Sequence, residues 1–170
     1  MVHMDEGRLA SEGPRSQAAR VSTQQFLDNA AAVTELLVSG ILPRFPALRF
    51  VAVEAGVGWV PFVLEAADMN FRKEKLWEER PEFEAPPSDY FRRQVYTTFW
   101  FENLEPHHVE HAGIERILFE TDYPHPVCLD GGQIKEVIET SFRDVSAHVK
   151  ERVLWKNAAD LYGIEVPLTH

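Results

Sequence analysis

The sequence predicts an α/β fold built on a parallel sheet, and three observations carry that expectation. Short apolar runs at 48–53, 95–101 and 115–119 are rich in Val, Ile, Phe and other strand formers. Longer segments with helical periodicity lie between them, the alternation expected of βαβ units. Each run ends at or near a carboxylate: Glu54, Glu102 and Asp122. Parallel strands buried on both faces read as continuous hydrophobic runs, and α/β enzymes place their chemistry where such strands end.

The elements follow in order. Residues 6–20 are polar and rich in Gly, Ser, Arg and Glu, which predicts a mobile loop. Ser22 and Gln25 have capping-box spacing ahead of Phe26, Leu27, Ala30, Val33, Leu36 and Leu37, so a helix is expected to start there. Gly40 is a natural stop, and Pro43 and Pro46 punctuate the turn into strand 48–53. Gly56, Gly58 and Pro61 surround the entry to a helix expected over 60–79. Pro81, Pro86 and Pro87 make a rigid acidic connection, and Ser88 is placed to cap a short helical turn before strand 95–101. Pro106 opens a helix that stops at Gly113. Strand 115–119, a loop holding Gly131 and Gly132, a helix to about residue 142 and a last helical region through Tyr162 complete the chain.

Length and composition narrow the function. The chain has 170 residues, 45% of them hydrophobic, enough for a single domain with a real core. A net charge of −10 argues against nucleic-acid binding, which usually leaves a basic footprint. No apolar run is long enough for a membrane span, and the start, 1–6, lacks the pattern of a signal peptide. Cys128 is the single cysteine, so no internal disulfide forms and a reducing, cytoplasmic setting is expected. His125 lies close enough in sequence to activate Cys128 as a nucleophile, but no helix N-terminus or cationic cluster stands beside it, and a passive loop thiol fits better.

The most telling stretch is Ile117-Leu118-Phe119-Glu120-Thr121-Asp122-Tyr123-Pro124-His125. A carboxylate and an imidazole three residues apart at a strand end can bind a metal or move a proton; the plain alternative is that Asp122 and Pro124 shape a turn. Carboxylates brought together on one rim would raise each other's pKa unless a cation sits among them. His107, His108 and His111 have metal-ligand spacing on one helix but lack a His-Glu-x-x-His arrangement, so a solvated helix face is expected. Trp59 and Tyr123 both follow strand ends and are candidates to touch a ring substrate. Gly56-Val57-Gly58 lacks the third glycine of a dinucleotide fingerprint.

At 39–51, 54–61, 117–125 and 157–163 the chain resembles the amidohydrolase-related family of metal-dependent hydrolases and decarboxylases, in the branch of aminocarboxymuconate-semialdehyde decarboxylase. The resemblance implies a (β/α)8 barrel with its site at the carboxyl ends of the strands. It covers about strands five to eight, so a partial barrel is expected; a complete one needs about 250 residues. Asp122 matches the strand-eight aspartate that ligates the metal or handles a proton near it. Glu54 falls at the strand-six ligand position, and His3 resembles the strand-five histidine ligand. From its position three residues on, His125 is a candidate partner of Asp122. No His-x-His pair, the family's strand-one ligands, occurs in the sequence.

The expected activity is therefore metal-dependent hydrolysis of a small molecule, or non-oxidative decarboxylation of a carboxylated one, with zinc as the expected ion. With only His3, Glu54 and Asp122 as ligands, the chain by itself is expected to hold that ion weakly or not at all. It is also expected to self-associate or to pair with a missing amino-terminal half. The rival reading is a non-catalytic α/β fragment that serves as an interaction module.

Overall fold

The computed structural model describes residues 13–125 and 128–165. Its centre is a parallel three-stranded sheet, ordered β1 (Phe50–Ala52), β2 (Val95–Phe99), β3 (Ile117–Phe119). Phe50 pairs with Val95, and Thr97 pairs with both Ala52 and Ile117, so the three strands are in step. Every residue of β2 is buried, as a strand flanked on both sides and covered on both faces must be. The strands are shorter than the apolar runs that announced them. The flanking residues Leu48, Val53 and Phe101 are exposed, outside the ladder.

Helix α1 (Pro14–Val38) starts earlier than the sequence suggests. Residues 14–20 are helical, which corrects the expected loop there; residues 6–12 lie outside the described residues. Pro14 occupies the first turn, where its missing N–H costs nothing. Good helix formers, Gln17, Ala18, Ala19 and Arg20, carry the helix past Ser22 and Gln25, which therefore sit inside it and form no cap. Only the second half faces the core, through Ala30, Val33 and Leu37. Gly40 follows in the left-handed conformation at φ 78° and opens the short α2 (Ile41–Arg44). That left-handed conformation is what requires glycine there.

The expected helix over 60–79 is two helices, α3 (Val60–Lys73) and α4 (Leu76–Glu79), separated at Lys75 by a positive φ of 50°. Helix α5 (Pro87–Gln94) begins one residue before Ser88. Ser88 does not cap it; its N–H and hydroxyl both donate to the Asp68 carboxylate, at 2.9 and 2.7 Å, and so tie α5 to α3. Helices α1, α5 and α6 (Pro106–Ala112) all pack on α3. The core fills the space between them and the sheet, with Leu37, Leu64, Phe91, Phe99, Leu104 and Ile117 almost wholly buried.

A 3-10 turn (Ile114–Arg116) leads into β3. Helix α7 (Gly131–Thr140) carries a full capping box between Asp130 and Gln133. Helix α8 (Ala147–Glu151) runs through a π-helical segment, Arg152–Lys156, into α9 (Asn157–Tyr162), and the π segment packs on β3. No helix among the described residues is long and apolar enough to cross a membrane.

Helix α6 corrects the reading of its histidines as a solvated face. His107 pairs with Glu105 and His111 with Glu65, each at 3.2 Å, but His108 is buried and its Nδ1 accepts the Glu105 N–H at 3.1 Å. That acceptor exists only on the neutral ring, and burial lowers the His108 pKa, with the His107 charge adding to it. A lowered folded-state pKa on a base gives stability that is present above its ordinary value of 6.5. That stability is lost as pH falls through the lowered pKa. Urea unfolding at pH 7.5 and 5 should therefore show less acid-induced loss in His108→Gln than in the wild-type chain. Equal losses would mean that His108 does not set the acid limit of this helix.

Candidate active site

Because all three strands run the same way, their carboxyl ends share one edge of the sheet. Glu54 follows β1, Trp100 to Glu102 follow β2, and Glu120 and Asp122 follow β3. Glu54 and Asp122 both adopt left-handed backbone, at φ 54° and 55°, a conformation uncommon outside glycine and costly enough to need external support. At Glu54 that support is visible. Its carbonyl accepts from Asn29 Nδ2 of α1 at 3.1 Å, and its backbone lies near enough to the Glu120 carboxyl to favour that group's charged form.

Glu120 is the residue that sequence reasoning passed over. It stands immediately after the last residue of β3 and between Glu54 and Asp122, whose charges it senses. Burial pushes its carboxyl up to about 7, against the Thr98 hydroxyl and the Glu54 backbone, which favour its charged form; the neighbouring carboxylates add to the rise. Mutual repulsion, expected from the sequence as the cause of such a shift, is the smaller contribution. The overlooked signal was an acid placed directly against an apolar run that must be buried on both faces.

Asp122 is 16% exposed at its side chain, and its Oδ2 lies 3.0 Å from His125 Nδ1. The approach is close enough for an ion pair but lacks hydrogen-bond direction, and Oδ2 has no hydrogen-bond partner. Among the described residues, the buried side-chain polar atoms without a partner are Trp100 Nε1, Glu120 Oε1, Asp122 Oδ2 and Asn157 Oδ1. Three of the four stand at this edge. Buried polar groups are nearly always paired, so their grouping here singles out this edge as the candidate site.

Glu102, the third strand-end carboxylate, is used differently. It accepts the Val57 N–H at 2.8 Å and the Gly58 N–H at 2.8 Å, and so clamps the loop between β1 and α3. Burial raises its pKa, opposed by those same backbone donors. The clamp explains the glycines. Gly56 has φ 72°, and a β-carbon there would meet Glu102 Oε1 at 3.0 Å.

The other sequence candidates divide. Trp59 donates its indole N–H to the Ala55 carbonyl at 2.7 Å and lines an apolar cleft with Phe26, Leu27 and Phe101. Tyr123 is 75% exposed beside Asp122, in the turn that holds the cis Tyr123–Pro124 bond. Cys128 is half-buried in the following loop. His3 lies outside the described residues. A second cleft of about 180 Å³ opens between α1 and the strand ends, lined by Ser22, Gln25, Phe26, Glu54, Trp100 and Phe101.

Among the described residues no group of three or more His, Cys, Asp or Glu side chains is arranged to hold a metal ion. Glu120 Oε1 and Asp122 Oδ2 are buried oxygens without a hydrogen bond, Oδ2 standing 3.0 Å from His125 Nδ1, which fits part of a divalent-ion site and not a whole one.

The sequence profile of a family described as Amidohydrolase matches residues 25–164. The chain is 28% identical over 145 residues to 2-amino-3-carboxymuconate-6-semialdehyde decarboxylase of Caenorhabditis elegans, a match that covers 81% of this chain and 33% of that protein. Its fold is similar to 5-carboxyvanillate decarboxylase from Sphingomonas paucimobilis, with TM-score 0.62 and 26% identity over 78% of this chain and 38% of the other. It is also similar to a dihydroxybenzoic acid decarboxylase from Polaromonas sp. JS666, solved with bound manganese and the inhibitor 2-nitroresorcinol. That match has TM-score 0.62 and 20% identity, over 92% of this chain and 49% of the other. The chain thus spans about a third of the curated relative's length.

Proposed function

Since the chain belongs to the amidohydrolase family, we propose that it is one domain forming the carboxyl-terminal part, about strands five to eight, of a (β/α)8-barrel enzyme. The proposed reaction is non-oxidative decarboxylation of a small carboxylated substrate, with hydrolysis of a small molecule as the second reading in the same family. The names of the relatives above favour the first.

The observation that carries the proposal is the pair of buried oxygens without hydrogen bonds, Glu120 Oε1 and Asp122 Oδ2, at the strand ends where barrel enzymes place their chemistry. A divalent ion bound there would polarise the substrate. Asp122 is the proposed ligand from β3, and His125, 3.0 Å from its Oδ2, orients the carboxylate. Glu54 is a further proposed ligand or a support for one. Carboxylate donors are hard and suit manganese or magnesium at least as well as zinc. The remaining ligands must come from outside the described residues, His3 being one proposed source. Tyr123 and Trp59 are proposed to face the substrate from the two sides of the edge.

The outer strands β1 and β3 each have a single strand neighbour among the described residues. Their unpaired backbone edges support pairing with a segment carrying the missing strands, or with a second copy, over a role as a free-standing interaction module. The test is co-expression with an amino-terminal segment bearing a His-x-His pair, followed by elemental analysis and measurement of carbon dioxide release from carboxylated aromatic and muconate-type substrates. A compact complex with about one divalent ion per chain and measurable release is expected, and Asp122→Asn should lower metal occupancy at least tenfold. A complex that binds no ion, or one whose occupancy ignores Asp122→Asn, would overturn the proposal.

A further inference from the structure

We infer that the cleft at the amino-terminal end of β3 is a second binding site, which takes a small oxyanion, a carboxylate or a phosphate, between the guanidinium groups of Arg116 and Arg152. It lies at the opposite end of β3 from Glu120 and Asp122, so it stands or falls apart from the reading of that edge.

The cleft encloses about 170 Å³, and its lining is mostly polar. Arg116 immediately precedes β3 and is half-buried. Its Nε donates to the Arg92 carbonyl and its Nη1 to the Tyr96 hydroxyl, with the guanidinium carbon 4.7 Å from the centroid of the Tyr96 ring. These contacts fix the plane of the group but use only two of its five N–H donors. None of them is with a carboxylate, so the Arg116 charge has no counter-charge among the described residues. A guanidinium already locked in place loses little freedom when it gains a further acceptor.

Arg152 reaches the same cleft from the π-helical segment. Its side chain is 14% exposed, and its Nη1 donates to Asp160 Oδ2 at 2.8 Å, leaving the rest of its fork unspent. The two carboxylates of the lining, Glu115 and Asp160, are both exposed, Asp160 at 59%. Asn157 spends its Nδ2 on the Ile114 and Ile117 carbonyls and offers the cleft no donor. The inner wall is thus cationic and the rim acidic. That order suits a small ion whose oxygens point inward and accept paired bonds from guanidinium, as carboxylate and phosphate both do. An extended polyanion would lie against Glu115 and Asp160 and be repelled.

Inorganic phosphate and acetate serve as probes. Each would be titrated into the 15N-labelled 170-residue chain at constant ionic strength, with sodium chloride as the control. The arginine Nε–Hε resonances are followed, each assigned through its own backbone amide. Those of Arg116 and Arg152 are expected to move together along one saturating curve, with a dissociation constant of about 1 mM for at least one probe. Arg49, which precedes β1 and donates to the Pro46 and Leu48 carbonyls, should stay still. Which probe binds more tightly tells a phosphate site from a carboxylate site.

Asp160→Asn, at an exposed position that leaves the fold intact, is expected to tighten binding about three- to fivefold by removing a repelling charge. A purely structural Arg152–Asp160 pair would give no such gain. Arg152→Gln is expected to weaken binding at least about tenfold; should that variant not fold, the wild-type titration and Asp160→Asn decide. Movement that chloride reproduces, a shift of Arg116 without Arg152, or Asp160→Asn binding no tighter than wild type would overturn the site. So would the absence of saturable movement up to about 50 mM of either probe.

Discussion

Replacing Glu102 with alanine is expected to lower the unfolding free energy by roughly 2–4 kcal/mol, while glutamine in its place should cost no more than about 1 kcal/mol. Alanine removes the acceptor for the N–H groups of Val57 and Gly58. Val57 is fully buried, so its N–H has no water to turn to, and a stranded buried donor carries most of the cost. Glutamine keeps one oxygen where Oε1 now receives both bonds. The pH dependence separates the two roles of the carboxylate. Burial raises its folded-state pKa above the ordinary 4.5, so the stability it contributes is present below that value and declines as pH rises through the raised pKa. Glutamine cannot ionise, so the stability of Glu102→Gln relative to wild type should improve between pH 4.5 and 8 in urea unfolding. A constant difference over that range would show that the Glu102 carboxyl is not desolvated as its burial implies. The clamped loop adjoins Glu54, so loss of the clamp in Glu102→Ala should also blur the cleft against α1.

That the sequence pointed to this edge at all follows from how parallel sheets are written. Runs at 48–53, 95–101 and 115–119 were legible because strands buried on both faces need continuous apolar residues. Their carboxylates were legible because those runs ended on them. What each carboxylate does was not. Glu54, Glu102 and Asp122 look equivalent in the chain, yet Glu102 is spent on backbone amides forty-odd residues away, while Asp122 keeps an oxygen without a hydrogen bond, beside His125. Such partnerships are long-range and leave no local pattern. Glu120 escaped notice because it abuts the apolar run, where position suggests a strand end and only burial reveals its raised pKa. The early start of α1 was missed for a different reason. Ser22 and Gln25 have the right spacing for a cap, but Pro14 and the Gln-Ala-Ala-Arg run begin the helix first, and a cap motif inside a propagating helix has nothing to cap. Gly40 and Gly113 end their helices where the sequence placed them, because that choice is local: both have positive φ, at 78° and 87°.

The other large effect is expected at the opposite end of β3. Asn157 is 1% exposed, and its Nδ2 donates to the carbonyls of Ile114 and Ile117, both at 2.7 Å. These two bonds fasten the start of α9 to the turn and strand that lead to Glu120 and Asp122. Asn157→Ala strands the buried Ile117 carbonyl and the half-buried Ile114 carbonyl, a loss of roughly 2–3 kcal/mol. Asn157→Asp should be worse, roughly 3–5 kcal/mol at neutral pH, because it sets a carboxylate against two acceptors, while Arg116 and Arg152, which share the neighbouring cleft with Asn157, are already engaged by Tyr96 and Asp160. The acid can recover one donor by taking up a proton. Its folded-state pKa would then lie above the ordinary aspartate value, and the stability of Asn157→Asp should rise as pH is lowered towards 5, while Asn157→Ala shows no such recovery. Parallel urea unfolding of the two variants at pH 5 and 8 checks both the order and the slope. If Asp and Ala were equally tolerated, or if neither fell more than about 0.5 kcal/mol below wild type, the two 2.7 Å bonds would not be what fastens α9 to β3. The placement of Asp122 would then have to come from the loop that follows it.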